Sequence, residues 1–239
     1  MYIKMIVCDL DGTLLRTDKS VSKYTLDMLN KCRAMGVKFA IATARNRLEA
    51  APCIDILEPD VLIFQGGALA IIDDETVYSK NLDTPDAIEI LEGLLKKEGV
   101  LRITSGGEVY SETKFAGRYP DKLHNISALF SAPLEDFGRN LHNIGIIQYR
   151  DENLVRFAHR DATKWRAVQA CAAYMGIETA NIVAFGDDAI DVDMIENCGI
   201  GVAMGNAIDA VKAVTDHVCD TNDRDGVAKW LEQNLILEE

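Results

Sequence analysis

Two aspartates stand where a short apolar segment near the start of the chain ends. Asp9 and Asp11 lie in the string DLDGT at 9–13, which directly follows the apolar run 3–8. If that run is a strand of a parallel sheet, both carboxyl groups emerge in the crevice at its carboxyl end, where open α/β folds bind ligands. Two clustered carboxyl groups push their pKa values apart. We therefore predict that Asp9 stays ionised as a nucleophile while Asp11 holds a proton as a general acid.

A hydroxyl-bearing segment follows a second apolar run. The string IATAR at 41–45 places Thr43 just beyond a predicted strand and before a predicted helix. A hydroxyl group and free amides at a helix N-terminus can hold phosphate oxygens. Read alone, the segment fits an ordinary helix cap at Thr43 equally well. We assign phosphate binding to Thr43 and Ala44, and substrate binding to Arg45.

A lysine and a group of acids in the second half of the chain complete the candidate site. Lys164 lies in a predicted helix, and the string GDDAID at 186–191 follows another apolar run. Carboxylate and carbonyl oxygens are the ligands that Mg²⁺ prefers, together with water and substrate phosphate. We therefore predict that Asp187, beside Asp9, binds Mg²⁺. Asp191 and Asp188 are assigned supporting roles, although Asp188 also fits a helix cap.

These residue types are needed together for one kind of reaction. Phosphate monoesters hydrolyse very slowly without a catalyst, and their catalysis consists mostly of positioning and of neutralising anionic oxygens. An aspartate nucleophile facing a phosphate dianion needs positive charge, which Mg²⁺ and Lys164 would supply, and the Thr43 hydroxyl would add a hydrogen bond. Asp11 would protonate the leaving alkoxide and later deprotonate the attacking water. The residues thus predict a phosphoaspartate mechanism.

An alternation of strands and helices is predicted to position these side chains. Apolar runs bounded by turn residues predict strands at 3–8, 37–42, 61–64, 182–185, 200–203 and 217–219, and helices at 22–35, 46–57 and 162–175, with further helices from 189 and 226. A hairpin is predicted around 73–74. The βαβαβ order indicates an α/β protein with a parallel sheet.

The middle of the chain has a different pattern. A helix is predicted at 83–99, and short strands are predicted at 100–104, 108–111, 144–149 and 154–158, with one irregular or helical stretch between them. We therefore predict a discontinuous core domain formed by 1–82 and 161–239, with a smaller α+β domain at 83–160 inserted into it.

Composition narrows the possible partners and location. The 239 residues carry a formal net charge of −13, which disfavours nucleic acid and anionic membrane surfaces as partners. No stretch approaches the ~18 apolar residues that a membrane helix needs, and residues 1–10 lack the features of a signal peptide. We expect a cytoplasmic protein. The six cysteines form no C-x-x-C pair, which favours reduced thiols over zinc ligands or disulfides.

Taken together, the four motifs resemble those of the haloacid dehalogenase superfamily, whose phosphatases have D-x-D-G-T, a Ser or Thr, a Lys and G-D-x-x-x-D in this order. The resemblance implies a Rossmann-like core with a cap domain. It implies that Asp9 is the nucleophile, Asp11 the acid and base, and Thr43 and Lys164 the phosphate ligands. Mg²⁺ would be held by Asp9, Asp187 and the Asp11 carbonyl. Asp191 would orient a metal-bound water or Lys164.

Spacing and tail motifs point to one group within the superfamily. Thirty-two positions separate Asp11 from Thr43, whereas 121 separate Thr43 from Lys164, so the cap belongs between the second and third motifs. The strings AMGNA at 203–207 and DGVA at 225–228 resemble the Cof-like sugar phosphatases. This chain departs from their pattern at Ile190, where Asn is usual, at Gly66, where Asn commonly precedes Gly-Ala, and at Ala44, where Gly is usual. Isoleucine can neither ligate a metal nor hydrogen-bond to water.

Two other functions fit the same motifs. A phosphomutase of the same superfamily would need a cationic cluster in the cap for a second phosphate, and Arg102, Lys114, Arg118 and Arg139 are candidates. A catalytically impaired phosphate-binding or regulatory protein is the other alternative, supported by Ile190. A dehalogenase is disfavoured because that branch lacks the second aspartate. The expected partner is a small phosphate ester, and the sequence leaves the exact substrate and the oligomeric state open.

Overall fold

Thirteen strands are found in the described part of the chain. The computed structural model describes residues 2–105, 123–132, 143–149 and 153–235, with the backbone alone of 108–110 and 236. The strands are β1 (Met5–Cys8), β2 (Lys38–Ala42), β3 (Val61–Phe64), β4 (Leu69–Ile72), β5 (Glu75–Ser79), β6 (Val100–Ser105), β7 (Glu108–Tyr110), β8 (Asn125–Phe130), β9 (Ile144–Gln148), β10 (Leu154–His159), β11 (Ile182–Gly186), β12 (Ile200–Ala203) and β13 (His217–Val218).

The helices follow the predicted alternation with small shifts at their ends. Within the same residues they are α1 (Lys23–Ala34), α2 (Arg47–Leu57), α3 (Thr84–Lys96), α4 (Lys164–Met175), α5 (Val192–Asn197), α6 (Asp209–Lys212) and α7 (Gly226–Leu231), the last continued by a π-helical turn, Glu232–Ile236. Ser22 caps α1 as predicted, since its hydroxyl accepts a hydrogen bond from the Thr25 amide at 3.0 Å. Within the described residues, none of the helices combines the length and apolarity needed to cross a bilayer.

A large sheet combines strands from the first third and the last third of the chain. Its strand order is β13-β12-β11-β1-β2-β3-β4-β5, and all neighbours are parallel except β3 with β4 and β4 with β5. The predicted hairpin joins β4 to β5, and its two turn residues, Asp73 and Asp74, both have positive φ. The apolar strands β1 and β11 are fully buried neighbours at the centre of the sheet. The α/β class predicted from the sequence is confirmed.

A second, antiparallel sheet lies in the middle of the chain. Its order is β7-β6-β8-β10-β9, and α3 packs against β6 and β8. The apolar side chains between α3 and this sheet form a hydrophobic cluster separate from that of the large sheet. We refer to this sheet and α3 as the cap, and to the rest as the core. The division at 1–82, 83–160 and 161–239 stays a prediction.

One strand of the cap differs from the sequence-based expectation. The irregular or helical stretch expected between 111 and 144 contains β8, the central strand of the cap sheet. Its alternate residues Ile126, Ala128 and Phe130 are buried apolar side chains, whereas Asn125 and Ser127 face the opposite side of the sheet. An alternation of apolar and polar residues with a period of two was therefore the sequence signal that indicates β8. The cap residues Lys114, Arg118 and Arg139 lie outside the described residues.

Candidate active site

Asp9 and Lys164 form a buried ion pair at the centre of the large sheet. Asp9 directly follows β1, and only 6% of its surface is exposed. Lys164 is the first residue of α4 and is completely buried. Its Nζ donates hydrogen bonds to Asp9 Oδ1 at 2.6 Å and to Asp191 Oδ1 at 2.5 Å. The structure thus joins the first, third and fourth sequence motifs through one ammonium group.

Asp187 completes a cluster of three acids around that single cation. Carboxylate oxygens of Asp9, Asp187 and Asp191 all lie within 4.8 Å of one another. Burial, together with the charge of Asp191, raises the pKa of Asp187 to about 7. Burial also raises the pKa of Asp9 well above its ordinary value, despite the opposing effect of Lys164. The pKa of Lys164 is raised because Asp191 and Asp9 outweigh its burial. Three acids and one base leave the cluster short of positive charge.

This donor set fits a divalent cation such as Mg²⁺. Hard cations prefer carboxylate oxygens, and a bound dication would offset the excess negative charge. Thr13 Oγ1 donates to Asp187 Oδ1 at 2.7 Å, which holds this carboxylate in place and leaves its second oxygen for a ligand. Gly12 has φ of 81°, and a Cβ there would lie 2.3 Å from Asp187 Oδ2, so only glycine fits at this position.

Both carboxylate oxygens of Asp191 already accept hydrogen bonds, and its supporting role stays a prediction. Oδ1 accepts from Lys164, and Oδ2 accepts from the backbone amides of Asp187 and Asp188 at 3.0 and 3.1 Å. The Asp188 side chain accepts from the Ala189 amide at 2.7 Å and caps the 3-10 turn that follows. Asp188 therefore makes the capping contact that the sequence analysis gave as the alternative to a role in the site. Ile190 places an apolar side chain on the cavity wall beside these acids.

The contacts of Asp11 favour its ionised form, whereas the sequence predicts a protonated acid. Arg45 donates to both of its carboxylate oxygens at 2.7 Å, and Lys19 Nζ donates to Oδ1 at 2.7 Å. Partial burial alone would raise the pKa of Asp11, but the hydrogen bonds from Arg45 and Lys19 lower it below its ordinary value. The pKa values of Asp9 and Asp11 therefore separate as expected but in the opposite direction. The reason is that Asp9 is the buried member of the pair and Asp11 has two cationic partners.

Thr43 is not a helix cap, which removes the alternative explanation for its segment. The N-cap of α2 is Asn46, whose side chain and that of Glu49 form a reciprocal capping box. Thr43 is buried just beyond β2, and its Oγ1 accepts a hydrogen bond from the Arg45 amide at 3.1 Å. Ala44 is exposed on the same cavity wall. Arg45, expected to bind substrate, lines the cavity but also binds Asp11.

A cavity of about 510 Å³ separates these core residues from the cap. Its volume suits a small ligand. Of the nine site residues predicted from the sequence, Lys164 and Asp187 do not line this cavity. The seven that line it are Asp9, Asp11, Thr43, Ala44, Arg45, Asp188 and Asp191. The cap contributes a wall that includes Arg102, Thr104, Ser127 and Tyr149. The sequence motifs gave no indication of this wall, apart from Arg102 as a candidate cation.

A buried arginine from the cap contacts the core at the edge of this cavity. Arg156 on β10 is only 3% exposed, and its Nη2 donates to the backbone oxygens of Gln65 at 2.6 Å and Ala162 at 3.4 Å. Its Nε is buried without a hydrogen-bond partner among the described groups. Its Cζ would lie 2.9 Å from a Cβ placed on Gly66. Asn125 adds a hydrogen bond at 3.2 Å to the Gln65 side chain. The turn at Gln65 is therefore held by two cap residues.

The fold and this acidic site define a hydrolase of a known family. The chain matches the haloacid dehalogenase-like hydrolase family over residues 6–130 and 127–231. It therefore belongs to the haloacid dehalogenase superfamily, in the Cof-like group of phosphatases, and the resemblance seen in the sequence is confirmed.

Named relatives match almost the whole chain. A 5-amino-6-(5-phospho-D-ribitylamino)uracil phosphatase of Bacillus subtilis is 26% identical over 98% of this chain and 98% of its own length. A pyridoxal phosphate phosphatase of Escherichia coli is 25% identical over 99% of this chain and 100% of its own. Among solved structures, a sugar phosphatase of subclass IIB has a TM-score of 0.83 at 20% identity, covering 96% of this chain and 98% of its own. This last likeness shows the fold.

Proposed function

We propose that this chain is a Mg²⁺-dependent phosphatase that hydrolyses a small phosphorylated metabolite, such as a sugar phosphate, through a phosphoaspartate intermediate. The observation that carries the proposal is the cluster of Asp9, Asp187 and Asp191 around Lys164, which has three acids to one base and lies at the wall of the cavity. Family membership supports the reaction class.

Asp9 would act as the nucleophile. One oxygen of its carboxylate accepts from Lys164, which orients the group at the cavity wall. The other oxygen would attack the phosphorus atom and form an acyl phosphate as the bond to the leaving oxygen breaks. Lys164 and the Thr43 hydroxyl would hold the phosphoryl oxygens, since Lys164 hydrogen-bonds to Asp9 and Thr43 directly follows the strand paired with β1. A Mg²⁺ ion bound by Asp9, Asp187 and the Asp11 carbonyl would supply further neutralisation of the phosphoryl oxygens.

Asp11 would transfer the protons of both steps. In the first step its carboxylic acid protonates the leaving alkoxide, and the resulting carboxylate then takes a proton from the water that attacks the phosphorus of the acyl phosphate. This second step releases inorganic phosphate and restores Asp9. Because Arg45 and Lys19 hold Asp11 as a carboxylate, the arriving substrate must weaken these contacts before Asp11 can carry a proton. Arg45, also on the cavity wall, would then bind the substrate.

The role of Asp9 is tested by one substitution with a matched control. In the presence of Mg²⁺, Asp9→Asn should abolish release of phosphate from p-nitrophenyl phosphate while the thermal unfolding transition remains cooperative. Asp55→Asn, at an exposed position of α2, is the control and should retain full turnover. Turnover by the Asp9→Asn protein at the wild-type rate would contradict the phosphoaspartate mechanism. No turnover by the wild-type protein with p-nitrophenyl phosphate or a panel of sugar phosphates, together with binding of one of them, would favour the impaired binding protein.

The phosphomutase alternative has its own test. A mutase returns the phosphoryl group to another hydroxyl of the same substrate, so a sugar bisphosphate should activate it. Activation of sugar phosphate isomerisation by glucose 1,6-bisphosphate would favour the mutase, whereas phosphate release without such activation favours the phosphatase.

A further inference from the structure

We infer that the cavity contains a second anion subsite, in which Arg102 binds a carboxylate or a further phosphate group on the leaving-group side of the substrate. The inference rests on the proposed function, because that function places the scissile phosphate at Asp9. It goes beyond the proposed function by defining a chemical property of the leaving group.

The cap sheet presents an ordered polar face to the cavity. Arg102 and Thr104 are two residues apart on β6, and both line the cavity. Thr104 is the cross-strand partner of Ser127 on β8, and Asn125 is two residues before Ser127 on the same strand. Side chains at such positions share one face of an antiparallel sheet. Hydroxyl and amide groups therefore surround the path between Arg102 and the core.

The two walls of the cavity carry opposite charge. The core wall contains five acids among the described residues, namely Asp9, Asp11, Glu49, Asp188 and Asp191. The described cap wall contains none. The lack of acids on the described cap wall differs from the composition of the whole chain, in which 38 acids outnumber 25 lysines and arginines. A molecule spanning the cavity therefore meets carboxylates, with any bound metal, at one end and a guanidinium group at the other.

The Arg102 side chain can bind a ligand without giving up a contact with any described residue, whereas Arg45, the other arginine of the cavity wall, must first leave Asp11. Arg45 is paired with both oxygens of Asp11. Arg102 lies in the cavity wall and is exposed, and its guanidinium has no carboxylate or other hydrogen-bond partner among the described residues. Its planar guanidinium can bind a carboxylate or phosphate through two parallel hydrogen bonds. A neutral polyol would use only the hydroxyl and amide groups of this wall and leave the charge unmatched.

The inference is tested with two substrates that share a carbon skeleton. 6-Phosphogluconate differs from glucitol 6-phosphate, which is also an open chain, by a carboxylate in place of the CH2OH group at the end remote from the phosphate. We expect kcat/KM of the wild-type protein to be about tenfold higher for the acid, a factor in the range of one charge-assisted bidentate contact. The variant Arg102→Met should lose this preference, so that the ratio of the two kcat/KM values approaches one. Arg102→Lys, which keeps the charge, should retain part of it.

Controls separate this inference from the proposed function. Arg224→Met removes an arginine whose side chain is 75% exposed on the core, and this variant should keep the wild-type ratio. A preference for glucose 1,6-bisphosphate over both monophosphates, lost in Arg102→Met, would also support the subsite and identify a phosphate as its ligand. If the wild-type protein turns over p-nitrophenyl phosphate but shows no preference, or if Arg102→Met keeps the preference, the inference is wrong. Absence of any turnover would instead contradict the proposed function.

Discussion

Replacing Asp187 with asparagine should stabilise the metal-free protein while it removes a metal ligand. Each pH unit by which a pKa differs between the folded and unfolded chain corresponds to about 1.4 kcal/mol. Burial raises the pKa of Asp187 from its ordinary value of 3.8 to about 7, so its ionised form destabilises the fold by at most about 4 kcal/mol above that pH. The carboxamide must also be desolvated, and it keeps an oxygen that can accept from Thr13. We therefore expect Asp187→Asn to raise the free energy of unfolding by about 1–3 kcal/mol.

The direction of the pKa shift determines how the stability gained in Asp187→Asn changes with pH. Because the folded-state pKa lies above the unfolded-state value, the folded chain binds more protons than the unfolded chain between about pH 4 and pH 7. Wild-type stability should therefore fall as pH rises through this window, and the gain in Asp187→Asn should be larger at pH 8 than at pH 5. For a chain of this length, 1 kcal/mol corresponds to about 2–4 °C in Tm.

Thermal denaturation followed by circular dichroism, in a chelating buffer at the two pH values, measures this effect. Adding Mg²⁺ should raise the Tm of the wild-type protein, because ligand binding to the folded state stabilises it. The same addition should have little effect on Asp187→Asn, and phosphatase activity should be lost. Asp55→Asn serves as the control for the loss of one negative charge on an exposed helix. A variant Tm at or below the wild-type value at pH 8 in chelator would refute the reasoning.

Two further predictions concern the contacts around the site. Thr13→Val removes the hydrogen bond that holds the Asp187 carboxylate and should weaken the apparent affinity for Mg²⁺ about tenfold, measured by titrating the activity with Mg²⁺; an unchanged midpoint would contradict this. Gly66→Asn should lower the Tm, because its Cβ would lie 2.9 Å from the Arg156 guanidinium carbon, although asparagine tolerates the positive φ of 64° there. Adding Arg156→Ala should restore part of that loss, whereas strictly additive effects of the two substitutions would argue against a clash.

The positions of the site residues that follow buried strands could be predicted from the sequence. The apolar runs that became β1, β2 and β11 are continuous because both faces of the parallel sheet are covered, and such runs are easily recognised. Since parallel strands end at one edge, Asp9, Thr43 and Asp187 could be placed together without any knowledge of contacts.

Contacts between distant segments were not predictable in the same way. The pairing of Asp11 with Arg45, 34 positions apart, depends on where the loop after β2 turns, which no local pattern specifies. Arg156 is a similar case. Within the strand sequence LVRFAH it would be expected to face solvent, and it is buried only because the core turn at Gln65 covers that face of the cap sheet. Tyr149 reaches the cavity from the cap for the same long-range reason.

The close approach of Arg156 to Gly66 also couples the residue types that these two positions can hold together. A chain with a side chain at position 66 has no room for the guanidinium in its present place, since even a Cβ would lie 2.9 Å from Cζ. A side chain at position 66 would therefore require the Arg156 guanidinium to move from its present place. Related chains with a larger residue at position 66 are expected to lack this arginine or to place its side chain differently.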